Sequence, residues 1–226
     1  MISEKRQLFV QACGKFFSGL LLVGILLFVP AGTIHYWNAW LLIGILFGPM
    51  FFAGIVLLFR SPDLLRKRLS ARENEAEQKQ VIAWSGLMFL TAFVLAGLNF
   101  RFKWIIMPDM LVWLAAALFL LAYLLYAEVL RENVWLSRTV EVQEDQKVVD
   151  TGLYGVVRHP MYMVTLLLFL SMPLVLGSLL SFLVMLAYIP LIIRRIRNEE
   201  EVLAEGLPGY EDYRKRVKYR LIPFIW

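Results

Sequence analysis

Long apolar runs recur along this chain, at roughly residues 16–30, 34–59, 80–100, 108–130, 160–176 and 178–193. Asp and Glu are missing from most of them, and the charges collect in between. About 20 apolar residues of helix cross a bilayer core about 30 Å thick. A globular core of 226 residues has no room for so much apolar chain. In lipid each backbone polar group must be satisfied within its own segment, so the runs are read as helices. The expected fold is all-α and integral to a membrane, with about six transmembrane helices. The first run is short for a span, so its helix starts before Phe16. Gly48-Pro49 marks a kink of the kind that neighbouring helices tolerate by supplying hydrogen-bond partners. The last two runs meet at a tight turn near Leu176-Gly177-Ser178, a hairpin that either crosses fully or only in part.

Composition agrees with this reading. The chain is 60% hydrophobic and 18% charged, against about half and a quarter for a soluble domain. One cysteine, Cys13, excludes an internal disulfide, and two histidines with no Cys or His cluster argue against a metal site. A net charge of +5 would suit nucleic acid, but its distribution follows the positive-inside rule instead. Of 23 Lys and Arg residues, all but Arg101 and Lys103 flank the same side of the six runs. Both termini are therefore expected in the cytosol, and nucleic acid is not an expected partner. Lys5 and Arg6 before an apolar stretch, with Val29-Pro30-Ala31 after it, loosely resemble a signal peptide. The five runs that follow favour an uncleaved helix.

Three segments lie on the expected cytosolic side. Residues 60–80 mix charges around Leu64, Leu65 and Leu69, which suits an interfacial helix or a solvated connector. Residues 131–158 contain Thr139-Val-Glu-Val, then Gln143-Glu-Asp-Gln, then Lys147-Val-Val. β-Branched residues alternating around a polar turn predict a small cytosolic β-hairpin. Residues 194–226 form a basic tail that opens as a continuation of the last helix. The division expected is residues 1–107, transmembrane helices and connector, and residues 108–226, a catalytic core with its ligand site at the cytosolic face.

Chemistry concentrates at two places. The first is Gly152-Leu-Tyr-Gly-Val-Val-Arg-His-Pro-Met-Tyr162, where the chain re-enters the membrane. Pro160 suits the first turn of a helix, whose free N–H groups can meet an acidic group. Arg158 and His159 stand at the boundary, where such residues also occur as plain anchors. The second is Arg194-Arg-Ile-Arg-Asn-Glu-Glu-Glu201, followed by Tyr210-Glu-Asp-Tyr213 and Val217-Lys-Tyr-Arg-Leu-Ile-Pro223. On a helix Arg195 and Glu199 share a face, as do Arg197 and Glu201. These are either surface ion pairs of little worth or the charged rim of a pocket.

In order and spacing these segments, over roughly residues 128–226, resemble the isoprenylcysteine carboxyl methyltransferase family and its bacterial and archaeal relatives. The resemblance implies S-adenosylmethionine as cofactor, bound at the cytosolic face between the Arg-His-Pro segment and the Glu-Glu helix. It implies that Tyr154, His159, Pro160, Tyr162 and Met163 line that site and that Glu199 or Glu200 faces the cofactor's ammonium. Arg158 and Arg195 would stand near the reacting centre, holding a carboxylate acceptor bidentately. The acceptor would be a lipophilic or lipid-modified molecule entering from the bilayer, whose lipids are the other expected partner. The chain departs from the family at Gly206-Leu-Pro-Gly209, one residue shorter than the usual segment there. Three other functions compete with this one. They are a phospholipid amine N-methyltransferase, a sterol-reductase-like membrane reductase that uses NADPH, and a non-catalytic membrane scaffold.

Overall fold

The computed structural model describes residues 2–69, 76–136 and 140–226. Its helices are α1 (Ile2–Ala31), α2 (Trp37–Arg60), α3 (Pro62–Leu69), α4 (Ala76–Phe102), α5 (Asp109–Glu132), α6 (Pro160–Val175), α7 (Leu179–Met185), α8 (Tyr188–Gly206) and α9 (Tyr210–Arg216). A short 3₁₀ turn, Gly152–Gly155, precedes α6. Among the described residues, five helical stretches are long and apolar enough to cross a membrane: Lys5–Ala31, Trp37–Arg60, Lys79–Phe102, Asp109–Glu132 and Leu179–Gly206, the last joining α7 to α8. The protein is therefore an integral, multi-pass membrane protein.

Two expectations about the fold need correction. The first is the count of full-length spans, which is five rather than about six. The fifth expected run is the shorter apolar helix α6, of 16 residues, about 24 Å at 1.5 Å per residue. Its far end is held by donors from neighbouring helices. Asn38 Nδ2 donates to Val175 O (3.1 Å), Tyr36 Oη to Leu176 O (2.6 Å) and Asn99 Nδ2 to Gly177 O (3.4 Å). Ser178 then caps α7 by accepting from Ser181 N. The α6–α7 turn thus sits beside the start of α2 and the end of α4.

The second correction concerns the β-hairpin. Among the described residues there is no strand, and residues 140–151 are irregular; Thr139 lies outside the described residues. A polar turn does form, with Gln146 N donating to Gln143 O (3.2 Å) and Gln143 N to Gln146 Oε1 (2.8 Å). No ladder flanks it, because the β-branched residues pack outward onto helices. Val142 and Val148 join Leu207, Tyr210, Tyr213 and Val217, whereas Val149 packs on the main core. A lone two-stranded hairpin is marginal in any case, and these contacts replace what its ladder would supply.

The main core gathers Leu27, Tyr36, Leu42, Phe93, Phe119, Val129 and Val164 from α1, α2, α4, α5 and α6. Gly97 lets α1 approach α4 closely, since a Cβ there would lie 2.6 Å from Leu27 O. In α2, Pro49 interrupts the hydrogen-bond ladder, and Tyr123 Oη of α5 donates to Leu46 O (2.8 Å) in the turn before it. In α3, Leu65 is buried and Asp63 lies in the first turn.

Candidate active site

The segment entering α6 and the C-terminal tail are built as one unit. Arg158 N donates to Tyr219 O and His159 N to Arg220 O, each at 2.9 Å, so the chain just before α6 pairs with residues about sixty positions later. Pro160 opens α6 as expected, and Gly152 takes a left-handed φ of +54° that starts the 3₁₀ turn.

Glu200 lies at the centre of this unit, on the inner face of α8 and only 4% exposed. Its Oε1 accepts from Arg158 Nε (2.8 Å) and lies 3.2 Å from His159 Nε2. Its Oε2 accepts from Arg220 Nε (2.8 Å). Arg158 also donates through Nη1 to Val217 O (2.8 Å) and Lys218 O (2.9 Å). Buried charge is tolerated when it is paired and hydrogen-bonded in this way. Both Glu200 oxygens and most of the Arg158 guanidinium are therefore engaged within the protein, tying α6, α8 and the tail together.

A second group faces a large cavity. Tyr162 Oη donates in a short bond to Glu199 Oε2 and accepts from Arg195 Nε (2.9 Å). Arg195 also lies over the Tyr162 ring, 5.9 Å from its centroid. The one-face placement of Arg195 and Glu199 thus becomes a shared contact through a tyrosine from α6.

The cavity holds about 910 Å³ and is lined by α2, α4, α5, α6, α8 and α9. At one end its wall includes Tyr154, Arg158, His159, Arg195, Glu199 and Tyr210; at the other, Leu46, Met50 and Ala53 of α2, Ile82 of α4, and Leu120 and Leu124 of α5. Of the sequence-derived site residues, Tyr154, Arg158, His159, Tyr162, Arg195 and Glu199 are on this wall. Pro160, Met163 and Glu200 are not, and Met161 is there instead. Met163 packs between the two buried clusters.

Sequence reasoning passed over Tyr210 and Tyr213, which α9 brings to the polar end, and Arg220, which completes the Glu200 cluster. Tyr213 Oη donates to Tyr154 O (2.8 Å), and Asn133 Nδ2 donates to Tyr154 Oη (2.9 Å). Tyr210 Oη is sealed from solvent and, among the described residues, has no hydrogen-bond partner. Burial, chiefly, pushes both phenols well above their ordinary range, so each stays protonated. The Tyr-x-x-Tyr spacing was visible, but its sense depended on where α9 docks. No group of three or more metal-ligating side chains occurs among the described residues.

Residues 110–208 match the family model for phospholipid methyltransferases. The match runs from α5 to the end of α8 and so covers the Arg-His-Pro segment and the Glu-Glu helix. It supports the membrane-methyltransferase part of the sequence resemblance, and it names phospholipid rather than isoprenylcysteine enzymes. The chain is also similar to the mouse Delta(14)-sterol reductase TM7SF2, at 32% identity over 91 residues, covering 39% of this chain and 22% of that protein. The matched stretch thus spans only about a fifth of that relative's length.

Proposed function

We propose that this protein is a membrane methyltransferase that takes its methyl group from S-adenosylmethionine and delivers it to a lipophilic acceptor. The observation that carries this reading is a cavity that is charged near the tail and apolar between α2, α4 and α5. A water-soluble donor suits the first end and a lipid the second, so the two reactants meet within one enclosure. By the distribution of Lys and Arg, the charged end faces the cytosol, as do both termini, the shorter α6 supplying the sixth crossing.

The residues on the wall fit such a donor. Two carboxylates border the cavity, Glu141 and Glu199; Glu199, positioned by Tyr162, meets the donor's ammonium. Tyr154, His159 and Tyr162 border the same space, and the aromatic faces favour a nearby cation. When bound, S-adenosylmethionine supplies an electrophilic methyl on a sulfonium. The chain's own part is alignment and exclusion of water, the main source of rate for such a transfer. Arg158 and Glu200 hold the tail against α6, and through it the cavity wall.

For the acceptor, an amine on a phospholipid headgroup is favoured over a carboxylate; its ammonium first gives a proton to water or to a carboxylate on the wall, and the free amine then takes the methyl as the neutral thioether leaves. Arg158, the expected carboxylate clamp, already donates to Glu200 and to two backbone carbonyls. The phospholipid methyltransferase match points the same way. Arg195, engaged with Tyr162, would then hold that ring in place rather than bind an acceptor.

Calorimetric titration of the purified protein tests the donor. Micromolar binding of S-adenosylmethionine, typical for an enzyme substrate, with weaker or no NADPH binding, is expected. Saturable NADPH binding without S-adenosylmethionine binding would replace this reading with the reductase one, to which the similarity to TM7SF2 lends weight. Methyl transfer to phosphatidylethanolamine vesicles but not to a prenylcysteine analogue is expected; the reverse pattern would restore the carboxylate acceptor.

A further inference from the structure

Residues 221–226 follow the Glu200 cluster and are absent from the cavity wall. Three of them, within four positions, present apolar side chains outward: Ile222 is 39% exposed, Phe224 87% and Ile225 77%. Single exposed apolar residues are ordinary, whereas a tight group of them marks a surface that meets something. Leu221 and Trp226 face the bundle instead. Leu221 is buried in one cluster with Met88 and Ala92 of α4 and Tyr188 and Ile192 of α8, and Trp226 packs against that cluster. Both helices belong to stretches apolar enough to cross the membrane. Just upstream, Tyr219 O and Arg220 O accept from the backbone at the entry to α6. The chain beyond Arg220 therefore lies against membrane-crossing helices.

The backbone of this turn is closed on itself. Trp226 O accepts from the N–H groups of Arg220, Leu221 and Ile222, at 3.0, 2.9 and 3.0 Å. Ile222 O accepts from Ile225 N (3.2 Å) and Trp226 N (3.1 Å). Pro223 has no N–H to satisfy. Within the turn Phe224 holds a left-handed φ of +66°, which side chains other than glycine seldom adopt. Backbone groups satisfied from within are the condition for entering lipid, where no water replaces a missing partner.

We propose that residues 221–226 are an interfacial membrane anchor: Ile222, Phe224 and Ile225 insert among the lipids of the cytosolic leaflet, beside α4 and α8. The occupant of this surface is the bilayer itself. Lys215, Arg216 and Lys218, exposed just before the turn, suit the phosphates of its headgroups, and Tyr219 and Trp226 are residues of the interface. Arg220 joins the anchor to the buried cluster, since it donates to Glu200 and lies over the Trp226 ring, 5.4 Å from its centroid. The anchor thereby ties the tail, and the part of the cavity wall that α9 forms, to the bilayer. It goes beyond the methyltransferase reading and holds equally for a reductase, because it rests on the membrane topology alone.

The test uses the full chain with Cys13→Ala and a nitroxide attached at Ile225→Cys, in phosphatidylcholine vesicles. A label in lipid collides with oxygen and is shielded from a water-soluble nickel chelate supplied on both sides of the vesicle wall. The ratio of oxygen to nickel collisions should be several-fold higher there than for a label at Glu211→Cys, on the exposed side of α9. Equal ratios at the two positions would place the turn in water and overturn the proposal. A label at position 225 shielded from both reagents would mean that protein, such as a second copy of this chain, covers the patch, with the same consequence. A measurement without labels follows tryptic cleavage after Arg220 in outward-facing molecules. Phe224→Asp combined with Ile225→Asp should speed that cleavage about tenfold, since both side chains lose the gain of leaving water and the turn opens more often. Phe224→Leu stays apolar and should be cut at the parent's rate. Unchanged cleavage of the double variant would overturn the anchor. Equal acceleration in Phe224→Leu would do so too, by tracing the effect to the contact of the Phe224 ring with Tyr219, 5.3 Å between centroids, and not to lipid.

Discussion

The first two helices and the last four are held together by different means. In α1 only 6% of the apolar window is buried, and in α2 11%. Phe17, Leu21, Leu22 and Phe52 stand more than half exposed, as side chains that meet lipid. From α6 to α9 the chain is stitched by hydrogen bonds of long sequence separation, centred on a buried carboxylate. In lipid, apolar surface gains little by leaving the bilayer for another helix, so van der Waals packing and polar contacts must provide cohesion. The N-terminal helices rely on the first and the tail on the second. The difference bears on the proposed function, because α2 borders the apolar part of the cavity proposed to take a lipid, while the tail cluster fixes the other part.

The largest expected effect breaks the tail. Glu200→Ala leaves Arg158 and Arg220 buried or half-buried without their carboxylate. Removing one member of such a cluster costs about 3–5 kcal/mol. Thermal unfolding in detergent should show a large loss, and limited proteolysis should cut residues 207–226 first. Glu200→Gln should fall between, since an amide still accepts hydrogen bonds but leaves the cations without a counter-charge. A Glu200→Ala protein as stable as the parent would mean that the cluster does not hold the tail.

A smaller effect is expected where α1 meets α4. Gly97→Leu would force Cβ against Leu27 O and against Pro30 Cβ, 2.9 Å away. Overpacking of this kind costs about 1–3 kcal/mol. Because the contact is local, α1 should separate from α4 while the tail cluster survives. Cysteine cross-linking between α1 and α4 should weaken, and binding of S-adenosylhomocysteine should hold. Loss of that binding together with the α1 contact would show that the two regions are coupled more tightly than their packing suggests.

How much of this was legible in the sequence follows the same division. Spans were readable because hydropathy is a one-dimensional property. Even so, α6 read as a full span although its far end is held by side chains from α2 and α4. The neighbourhood of Tyr162, Arg195 and Glu199 was readable through helical spacing and motif order. The partners of Arg158 were not, because two of them are backbone carbonyls about sixty residues away, at Val217 and Lys218. Backbone groups carry no sequence signal, so an arginine that ties down a tail looks identical to one that holds a ligand. The same limit misled the reading of residues 139–149. Alternating valines announce a strand only if their second face has nothing better to pack on, and here α8 and α9 offered that surface.

The smallest effect, that of Phe17→Ala, sharpens the comparison when it is set against the same change at a buried phenylalanine. Phe17 on α1 is 61% exposed, and Phe119 on α5 is fully buried in the main core. Phe119→Ala removes a ring from a packed interior, which costs about 3–5 kcal/mol. Phe17→Ala exchanges one lipid-facing apolar group for a smaller one, and such surface changes stay within about 0.5 kcal/mol. It is not wholly free, because Phe17 meets Phe16 edge-on at 5.4 Å, and Phe16 in turn packs on Phe47 and Phe51 of α2. The expected result is an unfolding temperature close to the parent's for Phe17→Ala and a marked fall for Phe119→Ala, in the same detergent. A marked fall for Phe17→Ala would show that the exposed face of α1 is covered by something other than lipid, and that face would then have to be reconsidered as an interface.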